Sequence, residues 1–367
     1  MLNLLLKGYL IVIPISGLLY YYFKVYEATF ANHLFIGLFV VYAALFLKSA
    51  SRNYIIGVLI LLSTGLLSTL YQVITESNFD IVTFVKHFLA ILVIVLLFQL
   101  GQKISFFRWF SINHKFIYVY LFIDFMIISF FTIDPLLMGV YPSFESSFLV
   151  PSFVYSLVTS NKLMLILHLA LFVLHGKRAV LIFVLFAMFI YYALNKETRK
   201  KLYIAILFLF ISIFTIDLEL IVGQRYLNIY IFLQDYDLNS VSSLKERYDE
   251  MVGSSFLKTG VINTLFGNGY GWYYFLLDFE GMPVRRNYIH LTLMFVFITY
   301  GLIGVLGYLL IHIKAIIRNI FSRNIERIMY GYIVLIYFLI SFSVFNVATN
   351  PLYALFLGAA FYKANNR

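Results

Sequence analysis

The sequence predicts an all-α, polytopic integral membrane protein. The chain is 62% hydrophobic and only 12% charged, against about 25% charge in an ordinary soluble domain. Its apolar residues fall in long runs, and a helix needs about 20 such residues to cross the hydrocarbon core. Lys and Arg gather in the short connections between those runs, the distribution of the positive-inside rule. That pattern accounts for the net charge of +10 without a nucleic-acid partner. The length alone would suit two soluble domains, but the composition excludes them. There is no cysteine, which removes disulfides, thiolate metal sites and cysteine nucleophiles.

Taken in order, the first spans are 4–22, 30–47, 54–72, 82–100 and 116–133. The segment 4–22 is read as a mature helix because it lacks a small-residue cleavage site and so many spans follow. Lys48 and Arg52 follow the second span, and Lys103, Arg108 and Lys115 follow the fourth. The loops 73–81 and 134–151 carry Glu76, Asp80, Asp134 and Glu145 with no Lys or Arg. The bias therefore places the N-terminus and the basic loops in the cytoplasm.

Spans 179–195 and 202–222 flank a basic turn with Lys196, Arg199, Lys200 and Lys201. Span 288–313 leads into Lys314, Arg318, Arg323 and Arg327. Both basic connections are cytoplasmic by the same rule, so 223–287 lies outside as one large extracytoplasmic loop. Parity then requires an even number of crossings between 134 and 178. Two segments satisfy it, roughly 144–160 and 163–175, reversing at Ser160-Asn161-Lys162. Spans 329–347 and 351–363 complete a single membrane domain, 1–367, of about twelve crossings; eleven is the alternative. On this count Lys177 and Arg178 sit outside, against the bias, which marks them for a role.

The stretch 223–290 holds the chemistry-bearing groups. Its 223–287 portion has six Lys or Arg against seven Asp or Glu, so it is no generic basic patch. Val241–Lys258 has the spacing of an amphipathic helix, with Ser242 or Ser243 as cap and Lys245 and Arg247 on its polar face. Gly267-Asn268-Gly269-Tyr270-Gly271 resembles a phosphate cradle but lacks the Walker Lys-Ser/Thr; a tight turn is the plainer reading. Trp272-Tyr273-Tyr274-Phe275 suits sugar stacking or, more plainly, an interfacial aromatic belt. Arg285 and Arg286 precede a span, with His290 one helical turn further on. A guanidinium matches phosphate oxygens, and an imidazole is the natural base near neutral pH. The plainer alternative has both arginines snorkelling to lipid phosphates. Tyr288 and Lys177 stand beside these groups as secondary contacts, as does Lys245. Lys86, His87, Asp124 and His168 lie within spans, where ionisable groups are costly, but no metal-ligand spacing joins them.

The order of these features resembles the O-antigen polymerase and ligase superfamily, the membrane enzymes called Wzy and WaaL. The family pattern has a Ser-Arg or similar pair opening a helix, a large periplasmic loop with an Arg near a helix start, a Gly-x-Gly turn, and a His eleven residues before a Gly-Leu-Ile-Gly-like stretch. The matching positions are Lys177-Arg178, Arg247, Gly267/Gly269/Gly271, and His290 ahead of Gly301-Leu302-Ile303-Gly304. The chain departs from the pattern at Lys177, where the family has Ser, and at Leu291, where it often has Asn.

The resemblance implies a GT-C-like, metal-independent glycosyltransferase of the bacterial inner membrane that needs no cofactor. Its partners are undecaprenyl-diphosphate-linked oligosaccharide as donor and acceptor, the bilayer, and a chain-length regulator protein. Arg178, Arg247, Arg285 and Arg286 would bind the diphosphate, and His290 would be the catalytic base. A ligase of the same fold and a lipid-linked oligosaccharide flippase are the alternatives. A flippase would show two comparable halves, and a scaffold leaves the Arg/His order unexplained.

Overall fold

The computed structural model describes residues 2–21, 29–45, 52–75, 79–133, 148–174, 178–195, 250, 260–277, 283–286, 289, 291–342 and 350–362. These form an α-helical membrane protein. By length and composition two helices, Ile81–Gly101 and Thr292–Ile320, are long and apolar enough to cross a bilayer, and a third if the bent pair Phe106–Ile112 and His114–Ile127 is one span. Shorter apolar helices stand at the other expected spans, except 202–222, which lies outside the described residues.

The chain divides into two compact units, Met1–Phe35 with Phe106–Leu244, and Ile36–Ser105 with Lys245–Arg367. The first unit holds α1 (Leu2–Tyr21), the start of α2 (Thr29–Ala44), α5 (Phe106–Ile112), α6 (His114–Ile133), α7 (Leu149–Val158), α8 (Lys162–Leu174) and α9 (Arg178–Leu194). Its centre is aromatic: Phe110 stacks on Tyr155 and packs against Phe148, with centroids 5.2 and 5.4 Å apart. Every residue of α7 is buried. The chain reverses between α7 and α8 at Ser160, whose φ of 56° is the left-handed conformation that tight reversals use. The hydroxyl of Ser152 meets Nε2 of the buried His168 at 2.6 Å, and His168 Nδ1 meets the Met164 carbonyl at 2.6 Å. Both ring nitrogens are thus satisfied, as burial in an apolar bundle requires.

The second unit holds α3 (Arg52–Ile74), α4 (Ile81–Gly101), α10 (Val261–Phe266), the strands β1 (Tyr274–Leu277) and β2 (Pro283–Arg286), α11 (Thr292–Ile320), α12 (Ile325–Ile340) and α13 (Pro351–Ala359). Three of its helices start on side-chain caps, which satisfy amide groups that have no helical partner. Asp80 accepts from the Thr83 N–H, Asn324 from those of Glu326 and Arg327, and Asn350 from that of Tyr353. A side chain at Gly101 or Gly358 would overlap a carbonyl of the neighbouring helix, Leu355 O and Phe98 O respectively, so α4 and α13 pack at backbone distance.

The antiparallel pair β1–β2 has the register Tyr274 to Arg286 and Phe275 to Arg285. The expected all-α fold therefore carries a small hairpin just ahead of α11. Tyr274, Phe275 and Val284 are β-prone residues, and among the described residues the two strands pair only with each other.

Candidate functional site

The site is built on the Gly-Asn-Gly-Tyr-Gly-Trp run between α10 and β1. Gly267, Gly269 and Gly271 all have positive φ, at 80°, 73° and 88°, a region glycine enters without steric cost. The run is neither an exposed turn nor a phosphate cradle. Its amides are already spent: Asn268 N–H donates to Ile298 O at 2.6 Å, Gly269 N–H to Thr299 O at 3.0 Å, and Tyr270 N–H to Thr69 Oγ1 at 2.6 Å.

The acceptors explain how a loop survives among apolar helices. Irregular backbone is tolerated at membrane depth only where protein satisfies its polar groups. Gly301 interrupts α11 with φ 65° and ψ −163°, and the carbonyls just before that break take the loop's amides. On the other side Ser68 donates to Phe266 O at 3.0 Å, and Thr69 accepts from Tyr270. A Cβ on Gly269 would overlap Thr69 N and Gly65 O, and one on Gly301 would overlap Leu265 O. Thr69 precedes the end of α3 by five residues and Thr299 follows the start of α11 by seven, so the loop's contacts lie about 7 to 11 Å along the helices from those ends at 1.5 Å per residue. Residues expected to belong wholly to an outer loop thus run between α3 and α11.

The aromatic run also differs from the expected interfacial belt. Tyr270, Trp272 and Tyr274 are 0%, 0% and 1% exposed. Tyr270 sits edge-on to Phe84, Phe88 and Tyr300, and its hydroxyl lies 3.1 Å from that of Tyr300. Trp272 donates to Thr299 Oγ1 at 3.1 Å and packs on His87 and Phe295. The intramembrane His87 is therefore an aromatic partner of the loop, with Gly271 N–H donating weakly to its Nδ1 at 3.4 Å. Burial of this kind satisfies both ends of an amphipathic ring.

Strand alternation splits the neighbouring residues between two faces. Tyr274 and Arg286 occupy the inner face, while Phe275 and Arg285 occupy the outer one. Arg285 Nη2 pairs with Asp80 Oδ2 at 2.8 Å, and its guanidinium lies 4.0 Å from the Tyr273 ring centroid. Asp80 is the junction. Its carboxylate also takes the Thr83 hydroxyl at 2.7 Å and the Thr83 amide at 2.8 Å, and its backbone N–H donates to Gly271 O at 2.9 Å. The Thr83 hydroxyl first, then the Thr83 amide and Arg285, hold its carboxyl down at about 2, from an ordinary 3.8.

Of the expected site residues, Arg285 and Arg286 are adjacent on β2 but face opposite ways. Arg178 is the first residue of α9, in the other unit. Lys177, Lys245, Arg247, Tyr288 and His290 lie outside the described residues. Among the described residues no group of three His, Asp or Glu is placed to hold a metal ion. Sequence reasoning missed Asp80, Thr69, Thr299 and Gly65. Two signals pointed to them: Asp80 stands three residues before Thr83, a capping spacing, and Gly65 and Thr69 form a small-x-x-x-small step. No protein-family model, curated protein or solved structure matches the chain.

Proposed function

We propose that the protein is a surface-polysaccharide polymerase of the O-antigen type, a GT-C-like glycosyltransferase working on the extracytoplasmic side. It moves a glycan from undecaprenyl diphosphate to the non-reducing end of another lipid-linked repeat unit. The observation that carries the reading is the placement of Arg286. It lies on the half-buried inner face of a hairpin that is anchored to α4 and leads directly into the helix bearing Gly301-Leu302-Ile303-Gly304.

In this mechanism an acceptor hydroxyl oxygen attacks the anomeric carbon of the donor glycan. The bond from that carbon to the diphosphate oxygen breaks, and His290 takes the hydroxyl proton. The leaving diphosphate keeps the bonding electrons, and Arg286, with Arg247, stabilises the charge that develops there. Arg285 is already paired with Asp80, so it takes no part in stabilising that charge.

Glycan profiling of a deletion strain tests the reading. A polymerase leaves one repeat unit on the acceptor lipid. Finished polymer left on its carrier would mean a ligase, and absence of any outward-facing intermediate would mean a flippase. His290→Ala and Arg178→Ala should reproduce the single-repeat pattern with the protein still inserted and abundant.

A further inference from the structure

The hairpin's outer face is not used by the chemistry above, and its composition is specific. Phe275 is 51% exposed and meets Tyr273 edge-on, with centroids 5.6 Å apart. Arg285 lies over Tyr273, and Asp80 closes the patch by pairing with Arg285. The side chains of Arg285 and Asp80 remain 43% and 23% exposed.

We propose that Tyr273, Phe275, Arg285 and Asp80 form a platform for a neutral, polyhydroxylated ligand, namely the glycan portion of a substrate. The identity of that glycan rests on the polymerase reading. Charge selects this occupant. Asp80 and Arg285 cancel, so the patch offers no net cation to a lipid phosphate or a diphosphate. What the pair keeps at its solvent edge is a set of guanidinium donors beside carboxylate lone pairs. A sugar presents the complement: hydroxyls that both donate and accept around the rim, and a C–H face that an exposed ring such as Phe275 can cover.

The two arginines then divide the substrate between them. Arg286 on the inner face meets the charged diphosphate, and Arg285 on the outer face, neutralised by Asp80, meets the sugar. Strand alternation alone sets this division. It also explains why half of the aromatic run is buried and half is not: Trp272 and Tyr274 hold the loop in place, and Tyr273 and Phe275 are left to bind.

The test uses the full chain in nanodiscs of zwitterionic lipid. The probe is the host's own surface polysaccharide, released from lipid by mild acid and followed by saturation-transfer NMR and titration. Wild type should bind, and Phe275→Ala should weaken binding by about tenfold, the scale of one aromatic contact. Arg285→Gln should weaken it comparably, while Phe321→Ala, an exposed aromatic on the C-cap of α11, should leave it unchanged. Equal binding by wild type and Phe275→Ala would overturn the proposal. So would an effect of Phe275→Ala seen only in nanodiscs containing anionic phosphatidylglycerol, which would make the face a membrane contact. If binding is unaffected while the deletion strain shows single repeats, the platform falls and the polymerase stands. If binding weakens while the deletion strain keeps full-length polymer, the platform stands and the polymerase falls.

Discussion

Arg285 and Asp80 are joined at 2.8 Å across the base of the hairpin, and the same carboxylate caps α4. One acidic residue thus ties a helix start and a strand through its carboxylate and, through its backbone N–H, the glycine loop.

The first prediction concerns pH. The Asp80 carboxyl is held at about 2 in the fold against an ordinary 3.8. A lowered value means that the ionised form stabilises the fold. The contribution is fully present above about pH 4 and is lost as pH falls toward about 2. Thermal unfolding in detergent should show wild type losing its advantage over Asp80→Asn across that window. Parallel curves would remove the carboxylate from the anchor.

Glycine substitutions should separate the loop from α11. Gly269→Ala forces a left-handed φ on a residue with a Cβ and drives that atom into α3, which costs more than about 1 kcal/mol. Gly307→Ala meets nothing within 4 Å and serves as the control. A lower melting temperature for Gly269→Ala alone is the expected result.

Tryptophan fluorescence reports the loop's burial directly, because the chain has only two tryptophans, Trp109 and Trp272. In a Trp109→Phe variant, Trp272 should emit at short wavelength and resist iodide quenching. Ready quenching would return it to the membrane interface. Trp272→Ala should cost about 3–5 kcal/mol of stability, the range for a buried aromatic.

Opposite roles for the two arginines give a charge-reversal experiment. Arg285→Asp should impair glycan polymerisation, and adding Asp80→Arg should restore a substantial part of it, because the pair re-forms in reverse. Arg286→Lys should stay impaired, because an ammonium does not reproduce a planar fork on phosphate. Rescue of neither or of both variants would undo the division of labour.

Hydropathy marks most of the helices because each needs only a run of apolar residues, and the reversal at Ser160 follows from loop charges and parity. The burial of the glycine loop is hidden for a definite reason. Gly-Asn-Gly in isolation is a surface turn, and its burial depends on partners about 200 residues away: Thr69 bonds to Tyr270 across 201 positions and Ser68 to Phe266 across 198. The opposite orientations of Arg285 and Arg286 are hidden similarly. The pair stands just ahead of a helix, and only a strand period turns neighbours to opposite faces. Asp80 registers in the sequence merely as a loop charge, since its partner Arg285 lies in a different part of the chain.

The break at Gly301 has a kinetic consequence. The Ile298 and Thr299 carbonyls are shared with the loop, so withdrawing the loop would leave unsatisfied acceptors inside an apolar bundle. The loop therefore cannot swing as an independent flap. Any opening of the loop must carry the segment of α11 ahead of Gly301 with it. In amide hydrogen exchange, Asn268 and Gly269 should open together with the helix and not ahead of it.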